Sequence, residues 1–129
     1  MGKILLIFEK GGTFELVLNE KAPKTCKAFL EHLPYEADVL QARFSGTECF
    51  FRMPLGVEPE NIVDPKTGYV AFNSDNEQAI CIYYDSNIRP ADPPYNFFAT
   101  IKGDYCKLKE VGLRIWREGS EKVKISMES

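Results

Sequence analysis

One histidine, His32, is all the imidazole in this sequence of 129 residues. That scarcity excludes a His-rich metal centre and leaves a Ser-His or Cys-His machine with a single candidate base. Cysteine is also sparse. Cys26, Cys49, Cys81 and Cys106 stand 23, 32 and 25 residues apart with no Cys-x-x-Cys pair, which argues against a zinc site or a thioredoxin-type motif. Long apolar runs are absent: the start carries only Ile4 to Phe8 before Glu9, whereas a membrane helix needs about 20 apolar residues and a signal peptide a longer core. Basic excess is absent too. Lys and Arg number 16 against 19 Asp and Glu, a formal net charge of −3, which argues against general nucleic-acid binding, since that needs a basic face to neutralise phosphates. These absences predict no membrane partner, no nucleic-acid partner, a cytoplasmic location, and four reduced thiols used as small apolar residues.

Several motifs are also missing. There is no Gly-x-Gly-x-x-Gly, no phosphate-cradling loop that opens a helix, and no Gly-x-Ser-x-Gly elbow around any serine. Asp75, Glu77 and Asp85 lack the glycine and ligand spacing of a calcium loop. No metal and no cofactor is expected.

What is present is a pattern of short strands, in a chain whose 44% hydrophobic and 27% charged content suits one folded domain over residues 1–129. Lys3 to Glu9 and the alternation Phe14, Leu16, Leu18 flank Gly11-Gly12, the signature of a hairpin. Ala22, Cys26, Phe29, Leu30 and Leu33 then fall on one helical face, with Pro23 suited to the first turn and Pro34 to the stop, which predicts a helix over 22–33. Strands follow at 39–44, 48–53, 69–73, 78–84 and 96–102, a short helix or turn at 103–111, and closing strands at 113–117 and through Val123, Ile125 and Met127. Two Pro-rich loops, 54–68 and 85–95, read as binding or lid elements. Eight or nine strands with one firm helix predict a mainly β fold, a closed barrel plugged at one end by that helix.

Two clusters carry candidate chemistry. Arg43 to Arg52 places two arginines and three aromatics on paired strands, and an arginine beside aromatic walls suits a carboxylate or a carbonyl. Ile82-Tyr83-Tyr84 and Tyr95-Asn96-Phe97-Phe98 form the second, in which about half the rings should face the core. His32, next to the apolar helix face with no nucleophile paired to it, reads as a boundary residue.

The stretch from Gly12 to Leu30, with its Ala22-Pro23-Lys24-Thr25 segment, closely resembles the start of a cyclophilin. Cys49-Phe50-Phe51-Arg52-Met53-Pro54 resembles that family's Phe-His-Arg strand, with Phe51 at the histidine position and Arg52 at the catalytic arginine, and Asn96 to Gly103 resembles a later strand. The resemblance implies an eight-stranded cyclophilin-like barrel with two capping helices. The glycine-rich segment with the active-site glutamine is replaced by 54–68, Tyr95 stands where a groove histidine is usual, Trp116 falls too late for the groove tryptophan, and Gln78 matches a second groove glutamine only loosely. Ala42 to Gly46, Asn96 to Ile101 and Leu113 to Gly119 are similar to a small bacterial and archaeal family of uncharacterised proteins with this type of fold.

The leading expectation is a non-catalytic or weakly catalytic binding module for a small carboxylated metabolite or a peptide. Arg43, Phe51, Arg52, Tyr83 and Phe98 would border its groove. The alternatives are a peptidyl-prolyl isomerase with Arg52 as the catalytic arginine, since amide rotation needs no proton transfer, and a structural subunit of a homo-oligomer pairing through exposed edges or aromatic-rich strands.

Overall fold

Alternation of apolar and polar side chains makes most of this chain into strands, and their apolar faces meet inside one barrel. The computed structural model describes residues 2–42, 46–74, 78–88 and 96–128. Its elements, in chain order, are β1 (Lys3–Phe8), β2 (Thr13–Leu18), α1 (Pro23–Glu31), β3 (Tyr35–Gln41), β4 (Gly46–Arg52), β5 (Tyr69–Asn73), β6 (Ala79–Ile88), β7 (Asn96–Lys102), α2 (Tyr105–Glu118) and β8 (Ser120–Glu128). The eight strands close in the order β1-β2-β7-β5-β6-β4-β3-β8, each antiparallel to its neighbours. The expected mainly β closed barrel with two helices is therefore present. Closure removes the free edges on which strand pairing between copies would rely.

Every strand contributes to the interior. Ile4, Leu6 and Phe8, Phe14 and Leu16, Val39, Cys49 and Phe51, Val70 and Phe72, Ile80, Ile82 and Tyr84, Phe98 and Ile101, and Val123 and Ile125 form one buried cluster. α1 adds Cys26 and Phe29 to it, and α2 adds Leu108, Val111 and Ile115, spaced for one helical face. Among the described residues, no helix is long and apolar enough to cross a membrane.

The structure corrects three boundaries. β3 begins at Tyr35, four residues before the predicted strand, while Phe44 lies outside the described residues. β6 runs on through Asp85 to Ile88, where the Pro-rich loop was expected to begin, because Thr47 of β4 donates its hydroxyl to the Asp85 carbonyl (2.9 Å). Residues 89–95 of that loop lie outside the described residues. The largest change is α2, one 14-residue helix in place of a short helix and a following strand over 113–117. The four cysteines are free, as expected, but only three are buried. Cys106 is exposed on α2.

Loop 54–68 straps the start of α1 to β7. α1 starts at Pro23 after Ala22, whose side chain cannot cap the helix. Glu60 in the loop supplies the missing cap: its carboxylate accepts from the Thr25 amide (2.7 Å), the Thr25 hydroxyl (2.9 Å) and the Lys24 amide (3.3 Å). Asn61 next to it exchanges bonds with the start of β7, since Asn61 N–H donates to Asn96 Oδ1 (3.0 Å) and Phe97 N–H to the Asn61 carbonyl (2.8 Å). Buried Asn96 in turn donates to the Thr25 hydroxyl (2.7 Å). The loop, the helix start and β7 are thus one network.

Burial alone would raise the Glu60 pKa, but the bonds from Thr25 and Lys24 outweigh it and hold the carboxyl below the usual range. A lowered folded pKa means stability that is present above the unfolded carboxylate pKa and lost as pH falls through the folded one. Glu60→Ala should therefore cost about 1 kcal/mol at neutral pH, as for loss of a helix cap. In urea unfolding the gap between wild type and variant should shrink on acidification. A gap that is constant with pH would show that the carboxylate does not hold the strap.

Candidate functional site

Successive side chains on a strand point to opposite faces, so the residues between core positions form the outer wall. On β4 these are Glu48, Phe50 and Arg52; on β6, Ala79, Cys81 and Tyr83; on β5, Tyr69, Ala71 and Asn73. The register aligns them in rows. Arg52 pairs with Ala79 and Ala79 with Asn73; Phe50 pairs with Cys81, Cys81 with Ala71, and Ala71 with Phe97 of β7; Glu48 pairs with Tyr83.

This outer wall is unusual in being buried. Ala71, Ala79, Cys81 and Tyr83 form a second apolar cluster, each no more than 2% exposed, against which Phe50, Tyr69 and Ile88 pack half-buried. Small residues make the floor, and rings stand around it. Tyr69 stacks on Phe97 with centroids 4.1 Å apart and planes at 13°. Arg52 stands exposed at one end of the wall, its backbone fixed by the Tyr35 hydroxyl, which donates to the Arg52 carbonyl (2.8 Å).

A β-bulge sets the position of Phe97. Val70 pairs with Ala99 and Ala71 with Phe97, so Phe98 is an extra residue on β7. The bulge turns Phe98 inward, where its ring lies 5.2 Å from that of Phe29 on α1, and leaves Phe97 facing outward onto Tyr69. The strap at Asn61, bonded to the Phe97 amide and carbonyl, holds this arrangement from outside.

The residues singled out from sequence divide between the two faces. Phe51 and Phe98 lie in the barrel core, at 1% and 0% exposure. Tyr83 and Arg52 share the outer wall. Arg43 lies outside the described residues. Alternation explains the division: Phe51 and Arg52 are adjacent, so they cannot face the same side of β4. Glu48, Phe50 and Phe97 stand in the two aromatic clusters of the sequence but outside its expected groove, and Tyr69 and Asn73 lie in neither cluster. Stepping by two from Arg52 reaches Phe50 and Glu48, but the partners on β5 and β7 depend on register. Gln78 serves the turn, accepting from the Gly56 amide (3.2 Å) and donating to the Ser74 carbonyl (2.8 Å).

The chemistry of this wall favours holding a ligand over attacking one. Burial pushes the Cys81 thiol far above its usual pKa, and the Glu48 carboxylate beside it pushes further. Burial does the same to Cys49. Neither is a thiolate nucleophile at neutral pH. His32 caps the end of α1, with Nδ1 donating to the Ala28 carbonyl (2.8 Å) and its ring edge-on to Tyr35. Among the described residues, no three His, Cys, Asp or Glu side chains gather as metal ligands.

Known structures share this architecture. McbB, solved in complex with tryptophan, superimposes with a TM-score of 0.83 at 18% identity over 95% of this chain. The chain spans only 44% of the length of McbB. The hypothetical protein AF2241 from Archaeoglobus fulgidus, solved in solution, gives a TM-score of 0.69 at 26% identity, covering 97% of this chain and 93% of that one. No curated protein matches the sequence. Residues 10–127 match the family described as "Protein of unknown function (DUF3830)", and over that span, nearly the whole chain, the protein belongs to DUF3830.

Proposed function

We propose that the protein is a cytoplasmic, cyclophilin-like binding module that takes a small carboxylated metabolite or a peptide on the outer wall of β4, β6 and β5, without catalysing a reaction. The observation that carries this reading is the exposed Arg52 at the end of a buried, ring-bordered apolar face. A guanidinium offers five N–H donors in a fork that matches a carboxylate, so Arg52 can hold an anion while keeping its protein contact. The complex of McbB with tryptophan, a carboxylated amino acid, supports the reading at the level of ligand size and charge.

Differential scanning fluorimetry against organic acids and proline peptides tests it. At least one carboxylate at saturating concentration should raise the melting temperature, and Arg52→Ala should abolish that rise. No stabilising acid, or a rise that Arg52→Ala leaves intact, would sink the reading.

The isomerase alternative also places its chemistry on Arg52, and the exposure of this side chain beside an apolar face favours it as the second reading. Prolyl rotation needs an arginine over the imide nitrogen and no proton transfer. A protease-coupled assay decides between the two readings. A binding module leaves the isomerisation rate at the buffer value, whereas an isomerase raises it in wild type and loses the increase in Arg52→Ala.

A further inference from the structure

The floor of the outer wall is closed. Ala71, Ala79, Cys81 and Tyr83 are each no more than 2% exposed, so a ligand reaches them only when a covering side chain moves. Among the described residues, Phe50, Tyr69 and Ile88 are the half-buried apolar side chains packed on that floor. Two of these are held by regular pairing. Phe50 stands between Leu40 of β3 and Cys81 of β6, and Tyr69 pairs with Thr100 while its ring stacks on Phe97.

Ile88 is held differently. Glu48 to Gly46 is two steps along β4, but their partners, Tyr83 and Ile88, are five steps apart along β6. The three surplus residues carry β6 out of the ladder, and a single pair, Gly46 with Ile88, ends the strand. Tyr84 opens this excursion and is fixed, its ring in the core and its hydroxyl on Gln41 (2.7 Å). Beyond it the ties are made by side chains. The Thr47 hydroxyl donates to the Asp85 carbonyl (2.9 Å), and the Lys109 ammonium of α2 lies 3.2 Å from the Asp85 carboxylate. The Lys109 side chain is 51% exposed, and an ion pair so open to water is a weak tie.

From this arrangement we infer that Asp85 to Ile88 form a flap over the outer wall, closed by Ile88 on the floor and latched to α2 by Lys109. Opening turns about Tyr84 and uncovers Cys81 and Ala71. The flap deepens the binding reading above, since it gives that ligand its way in, but its motion is testable without any ligand.

Two thiols report the motion. Cys81 lies on the floor under the flap, whereas Cys49, on the neighbouring strand, lies in the barrel core. Flap opening bares Cys81 alone, and global unfolding bares both. Native protein is treated with iodoacetamide, and each cysteine is followed by peptide mass spectrometry, with exposed Cys106 as the fast reference. In wild type, Cys81 should react about tenfold faster than Cys49, as local opening precedes global unfolding. Ile88→Ala should speed Cys81 by about a further tenfold through lost apolar cover. Lys109→Met, a surface change that spares the core, should speed it by about threefold. Cys49 should keep its rate in both variants, so general destabilisation does not imitate the effect. Equal rates at Cys81 and Cys49 in wild type overturn the flap. A Cys81 rate that Ile88→Ala leaves unchanged overturns the closure, and one that Lys109→Met leaves unchanged overturns the latch. Failure here leaves the carboxylate on Arg52 to the melting experiment, and a failed melting screen leaves the flap standing.

Discussion

Replacing Arg114 with alanine should destabilise the barrel by about 3 kcal/mol, because it leaves a buried carboxylate without its cation. Glu121 lies on β8 among side chains that face the interior, and its carboxylate is 1% exposed. Arg114 on α2 meets it with a fork of two bonds, Nε to one oxygen and Nη2 to the other, both 2.7 Å. The same guanidinium donates to the Gly11 carbonyl in the β1–β2 turn (2.8 Å), and the Lys10 amide of that turn donates to Glu121 (3.0 Å). Lys10 then pairs through its ammonium with Glu118 at the end of α2. One acid thus ties the second helix, the first turn and the last strand. Removing one partner of such a pair costs more than the pair is worth, since the other charge stays desolvated. Arg114→Ala should therefore shift the urea midpoint strongly. Adding Glu121→Leu to it should recover part of the loss, because no uncompensated charge remains. Additive losses in the double variant would show that the Arg114–Glu121 contact does not couple the two sites.

The barrel itself was legible because its cause is local. Ile4, Leu6 and Phe8 alternate with outward residues, and so do Val123 and Ile125, so period two appears in the sequence wherever one face is buried. α1 was equally plain, bracketed by Pro23 and Pro34. The outer-wall site was legible only in part. Arg52 and Tyr83 are conspicuous, but that they share a wall with Tyr69, Asn73 and Phe97 depends on strand order and register. Both are long-range properties. A single bulge at Phe98 decides which of two adjacent phenylalanines faces out, and no local pattern announces it. Polar partnerships such as Glu60 with Thr25 and Arg114 with Glu121 span 35 and 7 residues, and Glu60, Arg114 and Glu121 look like ordinary surface charges in the sequence.

The misread helix has its own physical cause, and it yields the second large prediction. Gly112 interrupts the run from Tyr105 to Glu118, and a glycine followed by Leu113-Arg114-Ile115-Trp116 reads as a break and a new strand. In the structure Gly112 is buried in the middle of α2, where alanine would be the better helix former by about 1 kcal/mol. The reason for glycine is the Tyr84 ring. A Cβ placed on Gly112 would stand 2.3 Å from Tyr84 Cγ and Cδ1 and 2.5 Å from Cδ2, so the helix backbone lies directly on the ring face. That ring cannot easily retreat: Tyr84 is 1% exposed and its hydroxyl donates to Gln41 Oε1 on β3 (2.7 Å). Helix propensity and packing therefore oppose each other at one atom, and their magnitudes decide the sign. Overpacking a filled core costs about 3 kcal/mol when neither side can move, well above the propensity gain. Gly112→Ala should destabilise the protein by about 2 kcal/mol, the difference of these two effects. Tyr84→Leu, which removes the ring, should make the same substitution far less costly, so the double variant should lose less than the sum of the singles. Chemical denaturation of the four proteins reads this directly. A stabilising Gly112→Ala would mean that α2 stands off the barrel by at least a methyl group, and that the glycine was never needed for the helix to dock.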